Sequence, residues 1–515
     1  MICRRHAAVG GIQVREMLSW RRGGAFFRSP LSRRSSTNFF DYKHLKTHAV
    51  ELARNAAARK APCDATRVAA LVDARAQLTQ EVDALRAQRN AYAASSTCGS
   101  REAARALKAA LAEREGALAA ACAALDAAAA ALPNGTHPAA PVGDESAAKL
   151  LGTVGEKREF LAFPPRDHVA LGEALGLWDF GAAARAAGAG FVTLKGAGVA
   201  LELALVQWAV SRLRGWGFSV LAPPDVALAP LVEGCGFAPR DGAGSASQVY
   251  AVEGSPLCLV GTSEIPLAAQ FSGSLLPPAA VAGSPLLHGA WGHCFRREAG
   301  GAGAATRGLY RLHQFTKVEM FAHVAGAVPL PPALEAAPFK FPHLAAALRQ
   351  WEAAGGGGGG GGAPAAPPCA ASEAVFARLV DAQASLLAEL GLHARVLDMP
   401  TEELGAPAFR KVDMEVWMPG RGAWGEVSSA SNCTDYQARR LGLRYRWPTA
   451  NSPPAFFHTL NATAAAVPRL LLALVETHQT EAGAVRVPEC LVPFMGGARL
   501  LEPPAATAPP PFGCG

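Results

Sequence analysis

Apolar residues recur in heptads over two stretches in the first third of the chain. Val68, Leu71, Leu78, Val82 and Leu85 share one seam, interrupted by Arg75 and Arg89. Leu111, Leu118, Leu125 and Leu132 then recur at heptad spacing, with Leu107 and Cys122 beside them. A Ser-Ser-Thr-Cys-Gly-Ser break at 95–100 separates the two runs. This pattern predicts two long helices over 64–132, folded back on each other as an antiparallel coiled-coil hairpin. Each arm would extend about 45 Å at ~1.5 Å per residue. Basic and acidic residues balance along it, so the pattern alone leaves open whether it grips RNA or a second helix pair.

Beyond Leu132-Pro133-Asn134 the chain carries Pro138, Pro141 and Gly143, a linker by composition. From about 160 the pattern is mixed. Residues 198–213 read as an amphipathic or buried helix, and 217–221 as a strand that ends at Pro223-Pro224. Cys294-Phe295 closes a second strand, a glycine-rich bend follows, and Leu309 to Phe315 alternates as a return strand. The turnaround is dense in Arg, Glu and His. Such a fold-back suits a polyanion, because guanidinium forks pair with phosphate bidentately. Helix signals resume over 372–390, and strands are expected at 412–417 and 424–429.

Composition changes this picture in three places. Half of the 515 residues are apolar and no run approaches the ~20 apolar residues of a membrane span, so a globular, membrane-free protein is expected. The formal charge of +7 sits in the N-terminus, where residues 1–40 hold eight Arg and one acid, Glu16. Without them the chain is near neutral, so global basicity says nothing about nucleic acid. An Arg- and Ser-rich, acid-poor leader reads as an organellar transit peptide over 1–38. The eleven Cys contain no CxxC pair, so neither a disulfide framework nor a structural zinc site is expected.

The order of residues in FRREAG followed by RGLYRLHQFTKVEMF (295–321) resembles motif 2 of the class II aminoacyl-tRNA synthetases, in its seryl-tRNA synthetase version. Other segments fit the same family. The helix–strand–proline order at 198–224 is similar to motif 1, and Thr262-Ser263-Glu264-Ile265-Pro266-Leu267 resembles the serine-binding TxE loop. Residues 395–446 and the stretch His458 to Arg469 are similar to the region leading into motif 3 and to motif 3 itself.

That resemblance implies an α+β fold: an antiparallel six- or seven-stranded sheet flanked by helices, preceded by the coiled-coil arm. It divides the chain into the leader (1–38), a tRNA-binding domain with the arm (39–140) and a class II catalytic domain (141–515). It implies a homodimer that activates L-serine with ATP and Mg²⁺, then transfers it to the 3′ end of tRNA(Ser) in a mitochondrion and/or chloroplast. Arg296 and Arg469 would be the catalytic cations. Thr262, Ser263, Glu264, Arg296, Glu319 and Thr463 would hold serine. ATP would lie against Arg296, Arg297, Glu298, Leu312, His313, Gln314, Phe315, Glu426, Val427, Ser428, Ser429 and Arg469. Glu426 and Ser429 would hold the metal on the phosphates, hard oxygen donors that suit Mg²⁺. Arg75, Arg86, Arg89, Arg105 and Lys108 of the arm would meet tRNA phosphates.

The chain departs from the family in two places. Gly355 to Gly362 run into an Ala/Pro tract, which reads as a disordered surface insertion over about 325–370. Motif 3 reads NATAAAVPR, where bacterial and cytosolic members carry NGSG and AVGR, and its larger side chains could crowd a nucleotide. The alternative function is a non-catalytic paralogue with a structural or RNA-binding role. Such a chain is expected to lose Arg296, Glu319, Glu426 or Arg469, and all four are present.

Overall fold

The computed structural model describes residues 40–94, 101–237, 248–281, 283–298, 307–326, 328–337, 370–447 and 453–503. Residues 1–38, read above as a transit peptide, and the eight glycines lie outside them. All described residues belong to one compact unit.

Two short helices, α1 (Tyr42–Thr47) and α2 (Ala49–Ala58), lead into the long pair α3 (Ala65–Ala94) and α4 (Arg101–Ala130). The heptad seam is where the helices meet: Val68, Val82, Leu111 and Leu125 are buried, and most other positions on both helices stay exposed. At the root, Leu52, Ala65, Val68, Leu125 and Leu132 form a small core.

The stretch read as a linker is instead a buried joint. The Asn134 amide donates to the carbonyls of Pro407 and Cys433, each at 2.8 Å. Arg59 of α2 donates to the carbonyls of Asn134 (2.8 Å), Gly135 (2.9 Å), Ala408 (2.9 Å) and Gly405. Proline and glycine signalled irregular backbone there, and side-chain donors satisfy its carbonyls.

The catalytic body contains β1 (Lys149–Val154), α5 (His168–Ala174), α6 (Ala197–Gly215), β2 (Ser219–Leu221), α7 (Glu264–Ala269), β3 (Leu286–Phe295) and β4 (Gln314–Val324). There follow α8 (Ala370–Glu389), β5 (Ala394–Asp398), β6 (Arg410–Met418), β7 (Ala423–Asn432), α9 (Tyr436–Leu441), β8 (His458–Ala466) and α10 (Val467–His478). The large sheet has eight strands in the order β1-β5-β6-β7-β8-β4-β3-β2. It is antiparallel except at one end, where β2 runs parallel to β3. The sheet thus has one strand more than the six or seven expected, and its short parallel edge is the strand read at 217–221. Helices α6, α8 and α10 pack apolar faces against the sheet in one continuous core. Trp208, Phe376 and Leu471 are among its fully buried residues.

Two sequence expectations are corrected. The return strand of the hairpin starts at Gln314, not Leu309; Gly308–Tyr310 is a 3₁₀ turn entered through a left-handed Gly308 (φ 72°). The insertion does not begin at 325. Val328 and Leu334 are buried in the main core, and Arg378 of α8 donates to the Leu334 carbonyl at 2.7 Å. Apolar anchors at i and i+6, invisible as a period, hold that segment.

Candidate active site

Strands alternate their side chains, so residues three apart on one strand face opposite ways. Glu426 and Ser429 on β7 break that rule because of a β-bulge. Ser429 faces Asp413 and Glu426 faces Glu415, with Val427 as the extra residue. Asp413 and Glu415 share one face of β6, so both proposed metal ligands project from the same side. A second bulge on β8, at Ala464, lies beside it: Thr463 faces Glu319, and Ala465 faces Val318. Bulges strand backbone carbonyls. Gln383 of α8 satisfies those of Ser429 (2.7 Å) and Thr463 (3.1 Å), and its amide also reaches Ser428 Oγ at 2.6 Å.

On β4, Phe315, Lys317 and Glu319 line up on one face. Their partners on β3 are the small residues Cys294, Gly292 and Ala290, which leave room above the row. The result is a cleft above the sheet. Arg296, Glu298, Leu312, Phe315, Glu426, Val427, Ser428, Ser429, Thr463 and Arg469 line it, as do Tyr310 and Lys317. Of the motif 3 departures, Thr463 and Pro468 line this cleft and leave it open, and Ala462 and Ala464 do not line it. Pro468 sits in the first turn of α10, where its missing N–H costs no hydrogen bond.

The cations are held before any ligand arrives. Arg296 Nε donates to the Gly261 carbonyl (3.3 Å), and its guanidinium lies 5.3 Å from the Phe315 ring centre. Arg469 Nη1 donates to the Glu426 carbonyl at 2.9 Å and sits 3.3 Å from the Glu426 carboxylate. Burial pushes the Glu426 carboxyl up, but the cations of Arg469, Lys411 and Arg296 outweigh it and hold the group below its ordinary value. An ionised carboxylate and a hydroxyl on one face fit a hard divalent cation that keeps water and phosphate as its other ligands.

At the inner end the polar groups are buried. Thr262 Oγ1 lies 3.5 Å from Glu319 Oε2, and Glu319 forms a buried ion pair with Lys317 on the same strand. Glu264 accepts from Gln437 Nε2 (2.6 Å) and Asn461 Nδ2 (3.0 Å). Burial and then the nearby Glu319 carboxylate push Glu264 up to about 7, against the hydrogen bond from Gln437. Ser263 is buried at the start of α7.

Three expected ATP contacts turn elsewhere. Gln314 is exposed, one position out of phase with Phe315. The His313 ring stacks on Phe191 and meets the Arg296 carbonyl through Nδ1 (2.9 Å). Arg297 is exposed, with its amide donating to the Gln248 carbonyl. None of the three lines the cleft. On the arm, Arg75 packs over the Tyr42 ring at 4.5 Å, and Arg86 pairs across the hairpin with Glu115 at 2.8 Å. Arg89, Arg105 and Lys108 are exposed.

Residues 367–478 match the model of the tRNA synthetase class II core domain (G, H, P, S and T). A serine–tRNA ligase of Rubrobacter xylanophilus is 39% identical over 465 residues, covering 88% of this chain and 97% of that relative. The chain belongs to the seryl-tRNA synthetase family. Its members are ATP-dependent class II aminoacyl-tRNA synthetases, and this chain is one of them. The mitochondrial serine–tRNA ligase of Mus musculus is 40% identical over 375 residues, 72% of this chain and 62% of its own length. Among solved structures, seryl-tRNA synthetase from Pyrococcus horikoshii complexed with ATP superposes with a TM-score of 0.74 at 29% identity. The match covers 90% of this chain and 100% of that one.

Within the synthetase site, sequence reasoning missed Tyr310, Lys317, Gln383 and Asn461. Tyr310 and Lys317 stood inside the motif 2 run without a role. Gln383 lies on a helix whose pattern is apolar, and only the bulges beneath it explain a buried amide there. The seven described cysteines are free thiols, and among the described residues no helix is long and apolar enough to cross a membrane.

Proposed function

We propose that this chain charges an organellar tRNA(Ser) with L-serine, working as a homodimer. The observation that carries the reading is the convergence of Arg296, Glu426 and Arg469 on one cleft whose floor continues into Thr262, Glu264, Glu319 and Thr463. The cations stand where three phosphates would lie, and the buried carboxylates where an ammonium and a hydroxyl would be read.

In this scheme a serine carboxylate oxygen attacks the α-phosphorus of ATP. The new P–O bond forms as the bond to the bridging oxygen breaks, and pyrophosphate leaves with that electron pair. Arg296 neutralises charge growing on the α-phosphate, and Arg469 holds the γ-phosphate. Phe315 stacks with the base and Glu298 orients it. Glu426 and Ser429 would hold Mg²⁺, which supplies further neutralisation of the phosphates. The 3′-terminal ribose hydroxyl of tRNA then attacks the seryl carbonyl, an ester forms and AMP leaves. Positioning and charge account for the rate, and no side-chain nucleophile is required.

The arm would reach the tRNA through Arg89, Arg105 and Lys108, with Arg75 and Arg86 at its base and middle. An Arg- and Ser-rich leader and the likeness to a mitochondrial relative support an organellar site of action. Aminoacylation of tRNA(Ser) with labelled serine tests the activity. A fluorescent fusion to residues 1–38 tests the address: import into mitochondria or plastids is expected, and a cytosolic signal would contradict it.

A further inference from the structure

Outside the groups assigned above, His168 and Glu476 form a buried polar pair, 2% and 0% exposed. Glu476, in the third turn of α10, accepts four N–H donors. Oε1 takes the His168 amide (3.0 Å) and His168 Nδ1 (2.9 Å). Oε2 takes the amides of Gly420 (2.9 Å) and Arg421 (3.1 Å). With the proton of His168 on Nδ1, its Nε2 is left as an acceptor, and it receives the Leu309 amide at 3.2 Å. No other tautomer satisfies both contacts. Gly308 closes the fit, since a Cβ there would stand 2.1 Å from His168 Nε2.

Both branches of this network end on one side chain, Tyr310. One branch fixes the Leu309 amide beside it. The other fixes the 420–421 turn, from which the Arg421 guanidinium lies 4.1 Å over the Tyr310 ring. Tyr310 in turn touches two residues whose charged side chains line the nucleotide cleft, Glu426 and Arg469. Its hydroxyl accepts from the Glu426 amide (3.1 Å), and its carbonyl accepts from Arg469 Nε (3.3 Å). The helix that carries Arg469 at its start therefore also carries, two turns later, the carboxylate that sets the turn against which Arg469 rests.

We propose that His168 and Glu476 are positioning residues for the ATP site, acting through the Leu309–Tyr310 turn on Arg469 and Glu426. The proposal rests on the reading of this cleft as the ATP site. Neither residue touches substrate, so their effect falls on nucleotide binding and leaves the serine end untouched.

Two isosteric substitutions separate the roles of the ring nitrogens. In His168→Asn the amide sits where Nδ1 was, keeping the donor to Glu476 and losing the acceptor for Leu309. In His168→Gln the amide reaches the position of Nε2 and keeps that acceptor. In serine-dependent ATP–pyrophosphate exchange, the Asn variant is expected to raise KM for ATP about tenfold. The Gln variant should stay within about twofold, with KM for serine unchanged in both. Equal ATP KM values in the two variants, or a rise in serine KM as large as that for ATP, would overturn the proposal. No exchange by the unmutated protein would sink the ATP-site reading as well, whereas a missing Asn/Gln difference in an active enzyme sinks this inference alone. Hydrogen exchange of the unmutated protein gives a readout that needs no variant. The Leu309 amide should be protected like the amides of α10, and exchange at the rate of an exposed turn would contradict the contact.

Discussion

Gln437 Nε2 donates to Glu264 Oε1 at 2.6 Å, beneath the amino-acid end of the cleft. The same side chain accepts from Thr459 Oγ1 at 2.7 Å, so its orientation is fixed from the other side. Its helix, α9, also carries Arg440, which donates to the Leu132 carbonyl at the root of the arm (3.0 Å). One short helix thus meets both Glu264 and the base of the coiled coil.

In the proposed serine site, the raised pKa of Glu264 gives serine binding a pH dependence. Only the ionised carboxylate attracts an ammonium, and this carboxyl stays protonated until about pH 7. Serine affinity is expected to fall as pH drops below 7, and binding near pH 6.5 should release a fraction of a proton. Calorimetry in two buffers of different ionisation heat measures that release, and a buffer-independent heat would contradict it. The stability sign is the reverse. Between about 4.5 and about 7 the folded protein holds a proton that the unfolded chain has lost, so this group makes the ligand-free protein less stable as pH rises. Gln437→Ala removes a hydrogen bond that favours the ionised form and should shift the serine-affinity midpoint to higher pH.

Gln383 is the tie across the two bulges. Gln383→Leu leaves the Ser429 carbonyl buried without that donor, while the Thr463 carbonyl keeps Ser428 Oγ (2.6 Å), a loss of about 1–3 kcal/mol in unfolding free energy. Relaxed bulges also free Glu426 and Ser429 to turn apart. A larger Mg²⁺ requirement for exchange is therefore expected alongside the drop in urea midpoint. An unchanged metal requirement would separate the bulges from the metal site.

Arg59, at the end of α2, donates to the carbonyls of Asn134 and Gly135 in the joint and to those of Gly405 and Ala408 in the catalytic body. Burial pushes its guanidinium down to about 10, still charged at neutral pH. Arg59→Ala should cost about 3 kcal/mol by stranding buried acceptors. Because the joint lies away from the cleft, adenylate formation should survive while tRNA charging falls. Parallel exchange and aminoacylation assays test that split, and equal loss in both would contradict it.

Much of this architecture is legible in the chain. Heptads mark the arm because an antiparallel helix pair needs one apolar seam and little else. Motif 2 is legible because Arg296, Glu298, Phe315 and Glu319 fall close together on a single hairpin. The unread parts depend on distant pairing. His168 and Glu476 are separated by most of the catalytic domain, and neither stands in a local pattern that marks it. Lys317 carries no role in the sequence; it is paired with Glu319 and buried only because their strand lies inside the sheet. A bulge leaves no sequence mark, so the spacing of Glu426 and Ser429 makes sense only once Val427 is seen out of register.

The central claim is activation of serine in this cleft, and ATP–pyrophosphate exchange tests it most directly. The comparison is between serine, threonine and alanine, with the unmutated protein and Arg296→Ala. Exchange with serine alone, lowered about 10²–10³-fold by Arg296→Ala, is the predicted result. Exchange with none of the three by a folded protein that binds tRNA, or equal exchange with threonine, would contradict it.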